Sequence, residues 1–181
     1  MSGMTTLATR LGILAVASFT LATPALAQQH TAMPDGMTHE QHMAQMEKDA
    51  AMKEHGHEAM GFDQDTTSHH FLIEATGGAI AVNVNTPGDA TGVRQIRAHL
   101  TEIAASFKAG DFSKPFMTHG EQPAGVVVLQ RLKSDMTYTY ADTSLGGIVR
   151  ITTANAEALA ALHEFLRYQI TEHKTGDPLV R

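Results

Sequence analysis

Eleven histidines and ten methionines are the chemically active residues of a 181-residue chain that has no cysteine. Imidazole nitrogen suits copper, zinc and nickel, and thioether sulfur selects soft Cu(I). Both ligand types are densest between Gln28 and Met60. That stretch holds His30, His39, His42, His55 and His57, with Met33, Met37, Met43, Met46, Met52 and Met60. It contains no Val, Ile, Leu, Phe, Tyr or Trp. Such a segment buries too little apolar surface to offset the entropy of its own ordering. Residues 28–60 therefore read as a His/Met-rich metal-binding arm, largely disordered or partly helical.

Spacing divides the arm into three candidate sites. Thr38 followed by Gln41 is a capping-box pattern and predicts a helix over 38–53. On that helix His39, His42, Met43 and Met46 share one face and offer two imidazoles and two thioethers to one ion. The alternative is a weakly amphipathic helix whose methionines rest on a partner. His55-Gly56-His57 is a separate His-x-His pair able to chelate Cu(II), Zn or Ni. The third site depends on processing. Arg10, the apolar run 11–22 and the small-x-small ending at Ala27 have the form of a secretory signal peptide, residues 1–27, cleaved near Ala27. The run is too short to span a bilayer, so no membrane span is expected after cleavage. The new N-terminus would be Gln28-Gln29-His30, whose amine, two amides and His30 imidazole resemble the amino-terminal copper and nickel motif. Square-planar nitrogen suits Cu(II) or Ni(II). Cyclisation of Gln28 would remove the amine, and a chance histidine at position three is the plain alternative.

Charge narrows the partners. The full chain carries 13 basic and 19 acidic residues, a formal charge of −6. Loss of residues 1–27 removes Arg10 alone. An acidic exported chain is a poor ligand for nucleic acid and favours cations. Without thiolates, any metal must be held by His, Met and carboxylate.

Ordinary globular patterning begins at Gly61, and residues 61–181 suffice for one domain. Strands are expected over 66–75, 79–85, 125–133, 135–142 and 146–153, and helices over 90–108 and 155–174, with a loop over 110–124. The order β-β-α-β-β-β-α predicts an α+β fold, an antiparallel sheet of about five strands with two helices on one face. Six more histidines lie here. His69 shares strand parity with Phe71 and Ile73. His99 flanks the apolar stripe of the first helix, and His119 lies in the loop. His163 and His173 border the stripe of the last helix, too far apart to chelate one ion. If the helices cover the face bearing His69, then His69, His99 and one of His163 or His173 converge. The plain reading is hydrogen-bonded structural histidines at the core's edge.

The segments Met60-Gly61-Phe62-Asp63-Gln64, Thr66-Thr67-Ser68-His69-His70-Phe71, Ile96-Arg97-Ala98-His99-Leu100, Gly110-Asp111-Phe112 and His163-Glu164-Phe165-Leu166-Arg167 through Asp177 resemble a little-characterised family of small exported bacterial proteins. Members often carry the label aspartate carbamoyltransferase. This chain has no Ser-Thr-Arg-Thr phosphate loop and lacks the two-domain length, so the resemblance implies one exported domain and its boundaries rather than that activity.

The expected function is a periplasmic or secreted metal-binding protein. Copper is the first candidate, as Cu(I) or Cu(II), with nickel, zinc or silver as further ones. The role would be buffering, tolerance or delivery to another periplasmic copper protein. The alternatives are an exported enzyme using the domain histidines, or a non-catalytic module with a polar linker. No Gly-x-Ser-x-Gly elbow, P-loop, dinucleotide fingerprint or His-Glu-x-x-His motif is present: the second histidine of His39-Glu40-Gln41-His42 comes one residue early.

Overall fold

A computed structural model describes residues 36–180. The signal segment and the Gln28/His30 site lie outside the described residues. The first element is a helix, α1, His39–Met60. Its start is the capping box that the sequence predicts. Thr38 Oγ1 accepts from the Gln41 amide at 3.2 Å, and the Gln41 side chain accepts from the Thr38 amide at 2.9 Å. The helix runs seven residues beyond the expected stop at Lys53, because its last turns pack on the domain and bury Gly56, Ala59 and Met60. Gly61 ends it in the left-handed region, at φ 72°, a conformation that favours glycine.

The sheet is antiparallel and built from β1 (Thr67–Glu74), β2 (Gly77–Val84), β3 (Met136–Thr143) and β4 (Gly146–Thr153), in the order β1-β2-β4-β3. It has four strands, not about five. Residues 125–133 form α4 (Val126–Arg131) rather than a strand. A short apolar run carries no period that separates strand from buried helix. Here Val126 and Leu129 are buried one helical turn apart while Val127 is exposed. Gly125 precedes them at φ 81°, so close to α5 that an added Cβ would lie 2.1 Å from the Ala161 carbonyl oxygen. Packing overrides the β-propensity of valine at this position. The expected loop 110–124 likewise contains a helix, α3 (Ser113–His119). Helices α2 (Ala90–Ala109) and α5 (Ala156–Glu172) cover one sheet face. Ile96, Leu100, Ile103 and Phe107 meet Leu162, Phe165, Leu166 and Ile170 over Phe71, Ile80, Val82, Val149 and Ile151.

The domain repeats one unit, a hairpin followed by a helix: β1-β2-α2, then β3-β4-α5. A Gly-Gly pair opens each central strand. A Cβ at Gly77 would lie 1.9 Å from the Ile151 carbonyl oxygen, and one at Gly146 would lie 2.1 Å from that of Val82. These are equivalent contacts across the β2–β4 ladder. Arg97 and His163 stand equally far from the helix N-caps, Asp89 and Asn155. Arg97 donates to the carbonyls of Gly146 and Thr143 at 3.1 and 2.7 Å. His163 Nε2 lies 3.0 Å from the carbonyl oxygens of both Glu74 and Gly77. Each helix thus ties down the hairpin turn of the other half.

Candidate functional site

Four histidines line one cavity of about 60 Å³. Their elements meet there for ordinary reasons. His69 sits on β1 opposite Val82, with Phe71 opposite Ile80, so strand parity turns it towards the helices. His99 lies on the core side of α2, between Ile96 and Ile103. His119 is the last residue of α3, which α1 covers. His173 caps the C-terminus of α5, its amide donating to the Gln169 carbonyl at 2.9 Å. Ring centroids are 5.7 Å apart for His69 and His173, and 5.0 Å apart for His119 and His173. Phe62 bridges the group, 5.7 Å from His69 and 5.4 Å from His99. Met60, from the end of α1, also lines the cavity; the other walls are largely apolar, with Ile80, Val82, Ile103 and Phe107.

Burial sets the charge of this group. It is the largest influence holding His69 and His99 down to about 4 and His173 to about 3, from an ordinary value of 6.5. The neighbouring imidazoles, and Lys114 beside His99, push in the same direction. His119 is lowered chiefly by burial, against an opposing hydrogen bond to Gln169. All four are neutral imidazoles at neutral pH, the form that ligates metals. His119 Nε2 lies 3.1 Å from Gln169 Oε1. With that oxygen as acceptor, Nε2 carries the proton and the Nδ1 lone pair is free. Among the described residues, His119 Nδ1 and His99 Nδ1 are buried with no hydrogen-bond partner, and so is Gln169 Nε2. Among the described residues, however, no three His, Asp or Glu side chains stand as placed in a metal-holding group.

The other half of the repeat fills the same positions differently. Counted from the Gly-Gly pairs, His69 corresponds to Tyr138. Counted from the helix caps, His173 corresponds to Phe107 and His99 to Phe165. Phe107 packs on Phe112, Tyr138 and Phe165 with centroids 4.2, 6.1 and 5.9 Å apart. Larger aromatic rings therefore satisfy this packing, and the fold does not require imidazoles at His69, His99 and His173. The imidazoles at His99 and His173 carry a desolvation cost that Phe165 and Phe107 avoid.

The remaining expected site residues divide. His163 does not join the cavity, because its Nε2 holds the β1–β2 turn; His173 takes the alternative place. The reason is angular: His173 lies beyond the last turn of α5, over β1, whereas His163 faces the turn. His39, His42, Met43 and Met46 lie on α1, with Met43 and Met46 each 51 % exposed. His55 and His57 are exposed on the same helix. Met60, Phe62 and Gln169 were not legible as site residues, although Met60 closes the methionine-rich stretch. No family model, curated protein or solved structure matches this chain.

Proposed function

We propose that this chain is an exported metal-binding protein that holds copper through imidazole and thioether, and that it buffers the ion or passes it to another exported copper protein. The observation that carries the reading is the gathering of four uncharged imidazoles on one cavity, three of them where the other half of the repeat has Phe or Tyr. Imidazole and thioether together accommodate both copper oxidation states. The exposed methionines of α1 and the signal-like leader agree with a protein that meets ions outside the cytoplasm. The test is titration of the processed chain with Cu(II), then with Cu(I) under anaerobic conditions, in competition with Zn(II) and Ni(II). Copper in at least one oxidation state should be held in preference to both competitors. Zinc or nickel binding as tightly as copper would refute the reading.

A further inference from the structure

Resting on the copper reading, we propose that the cavity formed by His69, His99, His119, His173 and Met60 is a site for one monovalent soft cation, Cu(I) or Ag(I), and excludes divalent ions. The exposed α1 face is then a separate, second-rank site.

Charge is the first argument. Among the described residues no carboxylate lines the cavity and Lys114 is the one charged side chain in its wall, although Glu172, Lys48 and Glu121 act on His119 from outside it. Lys114 Nζ is held by Glu102 at 3.2 Å and by the Ala59 carbonyl at 3.0 Å. An ion entering here meets neutral ligands and apolar walls. The solvation cost of burying an ion scales with the square of its charge, so a divalent ion faces roughly four times the cost of a monovalent one. No carboxylate in the cavity wall offsets it, and Lys114 adds to it.

Ligand type is the second argument. Met60 contributes a thioether, which favours Cu(I) over Zn(II). His119 is prepared as an Nδ1 ligand by its hydrogen bond to Gln169, the arrangement that outer-shell partners impose on metal-bound histidines. Its Nδ1 and that of His99 are buried and have no partner among the described residues. A ligand would supply what they lack.

Size is the third. With metal–nitrogen bonds of about 2 Å, two imidazoles sharing one ion at trigonal or tetrahedral angles place their ring centres roughly 5 to 5.5 Å apart. The His119–His173 pair is at 5.0 Å and the His69–His173 pair at 5.7 Å. As placed, the rings do not yet converge on one point, and binding in this assignment requires them to turn about their side-chain torsions. His69 and His173 also line a groove of about 420 Å³ beside Asp49, Met52 and Glu172. Groove and cavity share those two rings, and in this assignment an ion reaches them through the groove.

The experiment titrates the whole processed chain with Ag(I), a redox-inert probe, and separately with Zn(II). Long-range nitrogen NMR of the histidine rings reports which imidazoles ligate. One Ag(I) should shift His119 Nδ1 and ring nitrogens of His69 or His173, and Zn(II) should leave them unmoved. The double variant His119→Phe/His173→Phe, its fold checked by circular dichroism, should lose affinity for that ion by about 100-fold or more. Replacement of His39, His42, Met43 and Met46 together should not displace it. Unshifted cavity rings in the wild type overturn the assignment, whether or not the variant folds. So does Zn(II) occupying the same rings as tightly as Ag(I). If the cavity rings stay silent while copper binds on α1, this assignment fails and the copper reading survives. If neither copper nor silver binds at all, both fall.

Discussion

Acid should destabilise the metal-free protein well above the range in which carboxylates titrate, and the buried imidazoles set how much. His69, His99 and His173 ionise near 6.5 in the unfolded chain and near 4, 4 and 3 in the folded one. Between those values the unfolded chain binds protons that the folded chain refuses, so stability falls as pH falls. Their contribution is complete above 6.5 and declines as pH drops towards the folded values. At pH 5 each group costs on the order of 2 kcal/mol, from the distance between 6.5 and the working pH. Three together approach 6 kcal/mol as an order of magnitude, comparable with the whole stability of a domain of this kind. His119 adds in the same direction. The charges facing the group are few. Lys114 opposes protonation of His99 and His70 opposes it at His69, while at His119 Glu172 and Glu121 favour it against Lys48. The assay is urea unfolding at pH 7, 6 and 5 in the presence of a chelator, followed by circular dichroism. The midpoint should fall steeply with pH. In His69→Phe/His173→Phe the fall should shrink by more than half, and stability at pH 5 should exceed that of the wild type. Equal slopes in variant and wild type would show that these imidazoles titrate as if in water despite their burial.

Replacing His163 by Ala removes the donor shared by the Glu74 and Gly77 carbonyls. This should cost about 1 to 3 kcal/mol in denaturant unfolding while copper affinity stays unchanged. Gly77→Ala would drive a Cβ into the Ile151 carbonyl, and Gly146→Ala into that of Val82. Each should lower stability by about 2 kcal/mol or more, read as a drop in thermal midpoint. Thr38→Ala removes half of the α1 capping box. Helicity should fall by circular dichroism with a stability loss of about 1 kcal/mol, and hydrogen exchange should quicken in the first turn of α1. Raising salt should loosen α1 slightly. Lys48 with Glu172 at 2.8 Å, Lys53 with Asp65 at 2.7 Å, and Lys174 with Asp49 tie it down through largely exposed ion pairs.

The sequence by itself determined the elements whose signals are local. The Thr38–Gln41 box set where α1 begins. Strand alternation set both hairpins, although β2 begins at Gly77 rather than at the expected residue 79, and the apolar stripe of 155–174 set α5. It also placed His69 on the core side of β1, because alternation along a strand leaves only two faces. The end of α1 was not legible. Its sequence lacks core residues, and only the partner surface supplied by the domain holds Gly56 to Met60 in a helix. Val126-Val127-Val128 reads as strand by propensity, and its contact with α5 makes it a helix. The site was half legible for the same reason. His69 and His99 point inwards by local rules, yet whether His163 or His173 meets them depends on how α5 crosses β1, and His119 enters only because α3 exists. Convergence of side chains from four elements is a property of packing, not of spacing, and the tertiary structure alone decided it.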